Sequence, residues 1–138
     1  MDRKIVIASH HAMAKGIEDT LKYLTHTDLD VCVLCAYMEN KKIDSEVANV
    51  MSKFKKEDEV FIFTDIASGS VNQKFYKYIN RPHTHIIAGM NLPIIMSVAL
   101  NNSQEYFSEE TIKKLVNQAK DSLVYVNLSN KNMDKEDV

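Results

Sequence analysis

Tryptophan is absent from this 138-residue chain, glycine occurs three times and proline twice. Tight hairpins, bulges and left-handed turns draw heavily on glycine and proline. Their scarcity disfavours a turn-rich all-β chain and favours helices alternating with strands. Cysteine occurs twice, too few for a disulfide scaffold. The start, Met1-Asp2-Arg3-Lys4 and a short apolar run, lacks the apolar core of a signal peptide. Both features point to a reducing, cytoplasmic setting. No sign of charge dominates: 17 Lys and Arg stand against 19 Asp and Glu, for a net charge of −2. Non-specific nucleic-acid binding needs a cationic excess that this chain does not have. Long hydrophobic runs are missing too. The richest stretch, Ile86 to Leu100, is broken by Gly89, Asn91, Pro93 and Ser97 and falls short of the ~20 residues of a spanning helix.

What is present is an ordinary soluble balance, 45% apolar and 26% charged, in a chain of single-domain length. One domain is expected over residues 1–128, with a polar, frayed tail over 129–138. The apolar run Lys4–Ser9 predicts a strand covered on both faces. A helix from about Ala12 to Leu24 follows, with Ile17, Leu21 and Leu24 on one stripe. Val31–Tyr37 predicts a second strand. Ser45 to Lys55 predicts a helix burying Val47, Val50, Met51 and Phe54, capped by Asp44 or Ser45. Glu59–Thr64 is the third strand. The loop Asp65–Ser70 then opens a helix that runs through Tyr78. After the break at Pro82 comes a fourth strand, His85–Ala88, and a turn at Gly89-Met-Asn91. Leu92–Leu100 is a helix with Pro93 in its first turn. Ser108 caps a helix through Asp121 with Ile112, Leu115, Val116 and Ala119 on its apolar stripe. Leu123–Val126 predicts a final strand. The order β-α-β-α-β-α-β-α-α-β implies an α/β fold: a doubly wound, mainly parallel sheet with helices on both faces.

In such a sheet, ligands sit beyond the carboxyl ends of the strands, where the strand order reverses. Two loops there stand out. Strand one ends in Ser9-His10-His11, and strand three ends in Thr64-Asp65-Ile66-Ala67-Ser68-Gly69-Ser70. With strands ordered 2-1-3-4, His10 and Asp65 line one crevice, together with small hydroxyl residues and two helix N-termini whose N–H groups suit an anion. A carboxylate on one ring nitrogen fixes the imidazole tautomer and leaves the other nitrogen nucleophilic. That combination suits phosphoryl transfer through a phosphohistidine.

These residues also carry a resemblance. Ile5-Val-Ile-Ala-Ser-His10, Phe61-Ile-Phe-Thr-Asp65-Ile-Ala-Ser-Gly-Ser70-Val-Asn-Gln73 and Ile87-Ala-Gly-Met-Asn-Leu-Pro93 resemble, in order and spacing, three signatures of the enzyme IIA component of the mannose-type sugar phosphotransferase system. The resemblance implies a 2-1-3-4 sheet and a C-terminal strand, here Leu123–Val126, antiparallel and exchanged across a homodimer. It implies His10 as the phosphorylated histidine, Asp65 as its orienting carboxylate, and Ser70, with Ser68 and Gly69, on the phosphate side. The implied partners are the phosphocarrier protein HPr as donor, enzyme IIB as acceptor and, indirectly, the membrane IIC/IID permease. No metal or cofactor is implied. Two positions depart from the family pattern. The family commonly has Gly-Gly-Ser-Pro after the aspartate where this chain has Ser68-Gly69-Ser70-Val71, and glycine after the active histidine where this chain has His11. The loop departures motivate an alternative reading, a non-enzymatic regulatory module signalling through the phosphorylation state of His10. A metal or flavodoxin-like ligand module on His10 and His11 is a third.

The remaining reactive residues read as structural. Cys32 and Cys35 form C-x-x-C, but on a strand they point to opposite faces and are expected as buried core thiols. His83 and His85 share a strand face near the end opposite the crevice and are assigned structural or surface roles. His26 is expected in a solvated loop. Met90 and Met96 are expected in packing. The mixed-sign run Lys53–Glu59 is expected as a solvated helix end.

Overall fold

Runs of β-branched and aromatic residues form four strands, β1 (Arg3–His10), β2 (Val31–Ala36), β3 (Glu59–Thr64) and β4 (Thr84–Ala88). All pair in parallel, in the order β2-β1-β3-β4. The helices are α1 (Met13–Thr25), α2 (Ile43–Met51), α3 (Ser70–Phe75), α4 (Leu92–Ala99) and α5 (Glu109–Lys120). The computed structural model describes residues 1–26 and 29–128. It divides into a unit Met1–Tyr106, which holds the sheet and α1–α4, and a second that begins at Phe107 and holds α5. The expected polar tail, 129–138, lies outside the described residues.

β1 and β3 are central, and their continuous apolar runs follow from being covered on both faces. Ile5 through Ser9 and all six residues of β3 are buried. Alternate residues Val6, Ala8, Val60 and Ile62 join Val47, Val50, Met51, Val71 and Phe75 of α2 and α3 in one cluster. The opposite phase of β1 and β3, Ile5, Ile7, Phe61 and Phe63, is also buried. That is the side of α1 and α4, which contact each other. This winding leaves the carboxyl ends of the neighbours β1 and β3 open between helices on opposite faces.

Several elements differ from the expectation. α2 begins at Ile43, with Lys42 as the N-cap residue and no side-chain cap. Asp44 is spent on an ion pair with Lys74 at 3.0 Å instead. α2 ends at Met51, although Phe54 still packs on the core. Leu24 is exposed, and α1 buries Ala14, Glu18 and Leu21. Glu18 is accommodated by Lys15 at 2.7 Å and Lys22 at 3.6 Å. Cys32 and Cys35 are unbonded and only part-buried, because β2 is an edge strand. Burial pushes the Cys32 thiol pKa up, away from thiolate chemistry. Leu123–Val126 forms no strand, and among the described residues the sheet has four. Leu123–Tyr125 is irregular and residues 126–128 begin a helical turn. A strand exists only with a ladder partner, and a single chain supplies none here.

The charged run before β3 is not wholly solvated either. Asp58 and Glu59 are buried. Asp58 caps the turn by accepting the Lys55 N–H at 2.8 Å. Glu59 accepts from Arg3 Nε at 2.9 Å and faces His85 Nε2 at 3.2 Å. Arg3 also donates to the carbonyls of Ser103 and Glu105, at 3.0 and 2.8 Å. A buried carboxylate is tolerated only when its lone pairs are met in this way. His85 is thus structural. His83 is too, stacked on Tyr106 with centroids 3.5 Å apart.

Burial holds the His85 pKa below its ordinary 6.5, although the Glu59 carboxylate pulls the other way. Below pH 6.5 the unfolded chain therefore takes up a proton that the folded chain resists. Unfolding free energy is expected to fall as the pH drops from 6.5 through the folded-state pKa and to level off below it. Urea midpoints at pH 7.5 and 5.5 should differ less in His85→Gln than in the wild type. Equal pH dependence in the two proteins would contradict this assignment.

Candidate active site

β1 ends at His10, and the ladder continues one step further as the His11 N–H donates to the Ala36 carbonyl at 2.8 Å. The chain must then turn sharply into α1, and His11 does so at φ +56°. Ser9, fully buried, fixes the turn. Its Oγ accepts the Ala14 N–H at 2.8 Å and donates to the His11 carbonyl at 3.1 Å. It thereby satisfies one of the open N–H groups of the first turn of α1. This local frame aims the His10 ring at the end of β3.

Asp65 follows β3 directly. One carboxylate oxygen, Oδ2, accepts both the His10 backbone N–H at 2.7 Å and the ring Nδ1–H at 2.8 Å. The other, Oδ1, accepts the Ile66 N–H at 2.9 Å. The Asp65 side chain is 7% exposed and that of His10 38%, so the carboxylate is recessed and the imidazole reachable. Burial alone would raise the Asp65 pKa, but the hydrogen bonds from the His10 N–H, the His10 ring and the Ile66 N–H outweigh it. The carboxyl is held below its ordinary value and is ionised at neutral pH. An ionised carboxylate only accepts, so Nδ1 donates to it, and in the neutral ring the lone pair is then on Nε2.

The loop after Asp65 is braced by Asn72. Its Oδ1 accepts from the Thr64 hydroxyl at 2.8 Å, and its Nδ2 donates to the Ala67 carbonyl at 3.1 Å. Ser70, the first residue of α3, lies with its Oγ 3.3 Å from His10 Nε2. Gly69 is close for a steric reason: a Cβ there would stand 2.9 Å from His10 Cε1 and 3.3 Å from the Ile66 carbonyl oxygen. Its N–H is already engaged by that carbonyl at 3.0 Å. The structure therefore brings together His10, Asp65, Gly69 and Ser70. Ser68 lies on the exposed turn beside them, outside these hydrogen bonds. The β4–α4 corner follows the same economy. Gly89 turns at φ +73°, and Asn91 caps α4 by accepting the Ile94 N–H at 3.0 Å.

One neighbour of the site was not read from the sequence. Tyr37, the first residue after β2, adopts φ +67°. Its hydroxyl is 2.6 Å from Ser70 Oγ, and its ring centroid is 5.6 Å from that of His10. The signal was available in principle, because the order 2-1-3-4 puts the end of β2 beside the end of β1. The loops and the start of α1 there expose the apolar side chains of Met38, Ile66 and Met13.

A reachable imidazole held by a buried carboxylate thus stands at the carboxyl edge of a doubly wound parallel sheet on an α/β scaffold. The family model for the PTS system fructose IIA component, EIIA-man, matches residues 4–119. The chain belongs to that family. It is 33% identical to a protein from Klebsiella pneumoniae subsp. pneumoniae assigned as a phosphoenolpyruvate-dependent sugar phosphotransferase system permease, covering 94% of both chains with a TM-score of 0.82. A IIA protein associated with the fucose utilization operon of Streptococcus pneumoniae has the same fold at 23% identity, with 94% and 96% of the two chains covered and a TM-score of 0.77. So does the mannose/sorbose-specific IIA subunit of Enterococcus faecalis, at 15% identity, 90% and 94% coverage and a TM-score of 0.72. No curated protein matches the chain. Among the described residues, no helix is long and apolar enough to cross a membrane.

The left-handed backbone at His11 makes a stability prediction. A side chain with a Cβ is strained at φ +56°, by about 1 kcal/mol, whereas glycine is not. His11→Gly should therefore be more stable than His11→Ala by about 1 kcal/mol in urea unfolding. An alanine variant as stable as the glycine variant would show that the turn relaxes.

Proposed function

We propose that this protein is a cytoplasmic phosphoryl carrier of a sugar phosphotransferase system. His10 accepts a phosphoryl group from HPr at Nε2 and passes it to a histidine of enzyme IIB, which serves the membrane IIC/IID permease. The observation that carries the reading is the 2.8 Å bond between His10 Nδ1 and Asp65 Oδ2, which leaves Nε2 as the nucleophile. In the transfer, the Nε2 lone pair forms a new N–P bond as the N–P bond of the donor breaks, and that electron pair stays on the donor imidazole. Positive charge grows on the His10 ring, and Asp65 offsets it as the carboxylate does in a catalytic triad. The Ser70 hydroxyl, 3.3 Å from Nε2, is within reach of a phosphoryl oxygen bound there. Onward transfer is the same step reversed with a different imidazole. Such a relay between proteins requires positioning and charge stabilisation, and no metal. The exposed Met13 at the start of α1 and Met38 and Ile66 on the neighbouring loops suit brief docking of protein partners.

Incubation with phosphoenolpyruvate, enzyme I and HPr should add one phosphoryl mass to the intact protein. His10→Ala should abolish labelling with the fold intact, and His11→Ala should retain it. The opposite pattern would move the acceptor to His11. Asp65→Ala should slow transfer on the order of 10²-fold or more, the scale of a lost triad carboxylate, with little loss of HPr binding because Asp65 is recessed. An unaltered rate would sink the orienting role.

The carrier works as a homodimer through its C-terminal segment. β4 is an edge strand whose Ile86 and Ile87 are only part-buried, and open edges are normally covered or blocked. Leu123, Tyr125 and Val126 are exposed apolar residues of strand-forming type. Leu123–Val126 of one protomer would pair antiparallel at the open edge of its partner's sheet. Deleting the chain from Leu123 onward should give monomer or aggregate by light scattering, and an unchanged dimer mass would count against exchange.

A further inference from the structure

We propose that Tyr37 is a positioning residue for phosphoryl transfer at His10: its hydroxyl holds Ser70 so that the serine O–H points first at Nε2 and then at a phosphoryl oxygen. The inference rests on the carrier reading of the site and adds to it a residue from a third loop.

The polarity of the hydrogen bonds is forced from one end. Ionised Asp65 can only accept, so Nδ1 of His10 donates to it, and in the neutral ring, the form with a lone pair to attack phosphorus, Nε2 then has no hydrogen. Between Nε2 and Ser70 Oγ, 3.3 Å apart, the one hydrogen available is that of the serine hydroxyl. With its proton so used, Ser70 Oγ can meet the Tyr37 hydroxyl, 2.6 Å away, only as acceptor. The chain of donors therefore runs from Tyr37 to Ser70 to His10 to Asp65. Tyr37 reaches this place because the backbone turns left-handed immediately after β2, at φ +67°, and lays the ring near the His10 imidazole. A non-glycine residue at positive φ is strained, and such strain persists where the surroundings hold it.

Phosphorylation consumes the Nε2 lone pair, so the Ser70 O–H loses its acceptor at the moment when phosphoryl oxygens arrive beside it. A free serine hydroxyl rotates among several directions. One whose lone pair is occupied by Tyr37 has fewer, and the donor is preset for the group being transferred. Tyr37 does not touch the reacting atoms in this scheme. It acts through Ser70.

The test uses the full chain and a small donor, phosphoramidate, so that docking of a partner protein plays no part. The Nε2 lone pair forms the new N–P bond, the P–N bond of phosphoramidate breaks, and its electron pair leaves with the protonated nitrogen as ammonia. Phosphorylation of His10 is followed by intact mass and site mapping. Tyr37→Phe keeps the ring and removes only the hydroxyl, and should slow His10 phosphorylation about 3- to 10-fold, the worth of one hydrogen bond. Ser70→Ala should slow it at least as much, and the double variant should be no slower than Ser70→Ala alone. With phospho-HPr as donor, Tyr37→Phe should lower the maximal rate and leave the half-saturating HPr concentration unchanged. A wild-type rate in Tyr37→Phe, effects of the two substitutions that multiply, or a change confined to half-saturation would overturn the proposal. Failure of phospho-HPr to label the wild-type protein would instead overturn the carrier reading, and the phosphoramidate comparison would still decide the role of Tyr37.

Discussion

The Asp65 carboxylate ties the end of β3 to the end of β1. Three N–H groups converge on it, two from His10 and one from Ile66. The backbone bond from His10 fixes where β1 stops, and the ring bond fixes where the imidazole faces. The bond from Ile66 fixes how the loop leaves β3. Because all three donors favour the charged form, they outweigh the cost of burying the carboxylate. Removing this group would leave a part-buried imidazole N–H without its partner and the two loops without their common anchor.

Around that anchor, each loop is held by a different local device. Buried Ser9 staples the turn after β1. Asn72 braces the loop after β3 from Thr64 to Ala67. Gly69 leaves room for the His10 ring, at a spot where even a methyl group would collide with it. His11 and Tyr37 both bend at positive φ just beyond adjacent strands. His83, just before β4, and His26, at the end of α1, also adopt positive φ, so left-handed backbone occurs at both ends of the sheet. The opposite edge is held by ion pairs and stacking instead. There Arg3, Glu59 and His85 form a buried polar knot, and Tyr106 closes it by stacking on His83 and donating to the Glu57 carbonyl.

The doubly wound order explains why a two-residue constellation is possible at all. His10 and Asp65 are 55 positions apart in the chain, and neither loop could hold the other's side chain unaided. The parallel register of β1 on β3 ends with Ala8 opposite Thr64. That leaves the histidine two residues past the last pairing and the aspartate one, within a hydrogen bond of each other. A slip of the register would separate them by more than a bond length.

The sequence by itself determined the fold class, the parallel sheet and most element positions. Those depend on hydrophobic period and on local helix-start signals such as Asn91 with Pro93 and Ser108, which act within a few residues. It also determined that His10 and Asp65 stand at the carboxyl ends of strands, because strand ends are legible where apolar runs stop. Tertiary structure alone decided the rest. It placed Tyr37 on Ser70, since that contact joins loops 33 positions apart. It buried Glu59 rather than exposing it, because Arg3 and His85 arrive from other strands to meet its charge. It left Cys32 and Cys35 half-covered, because β2 became an edge. It left Leu123–Val126 without strand structure, because a strand is defined by the partner it pairs with, and no residue pattern supplies a partner.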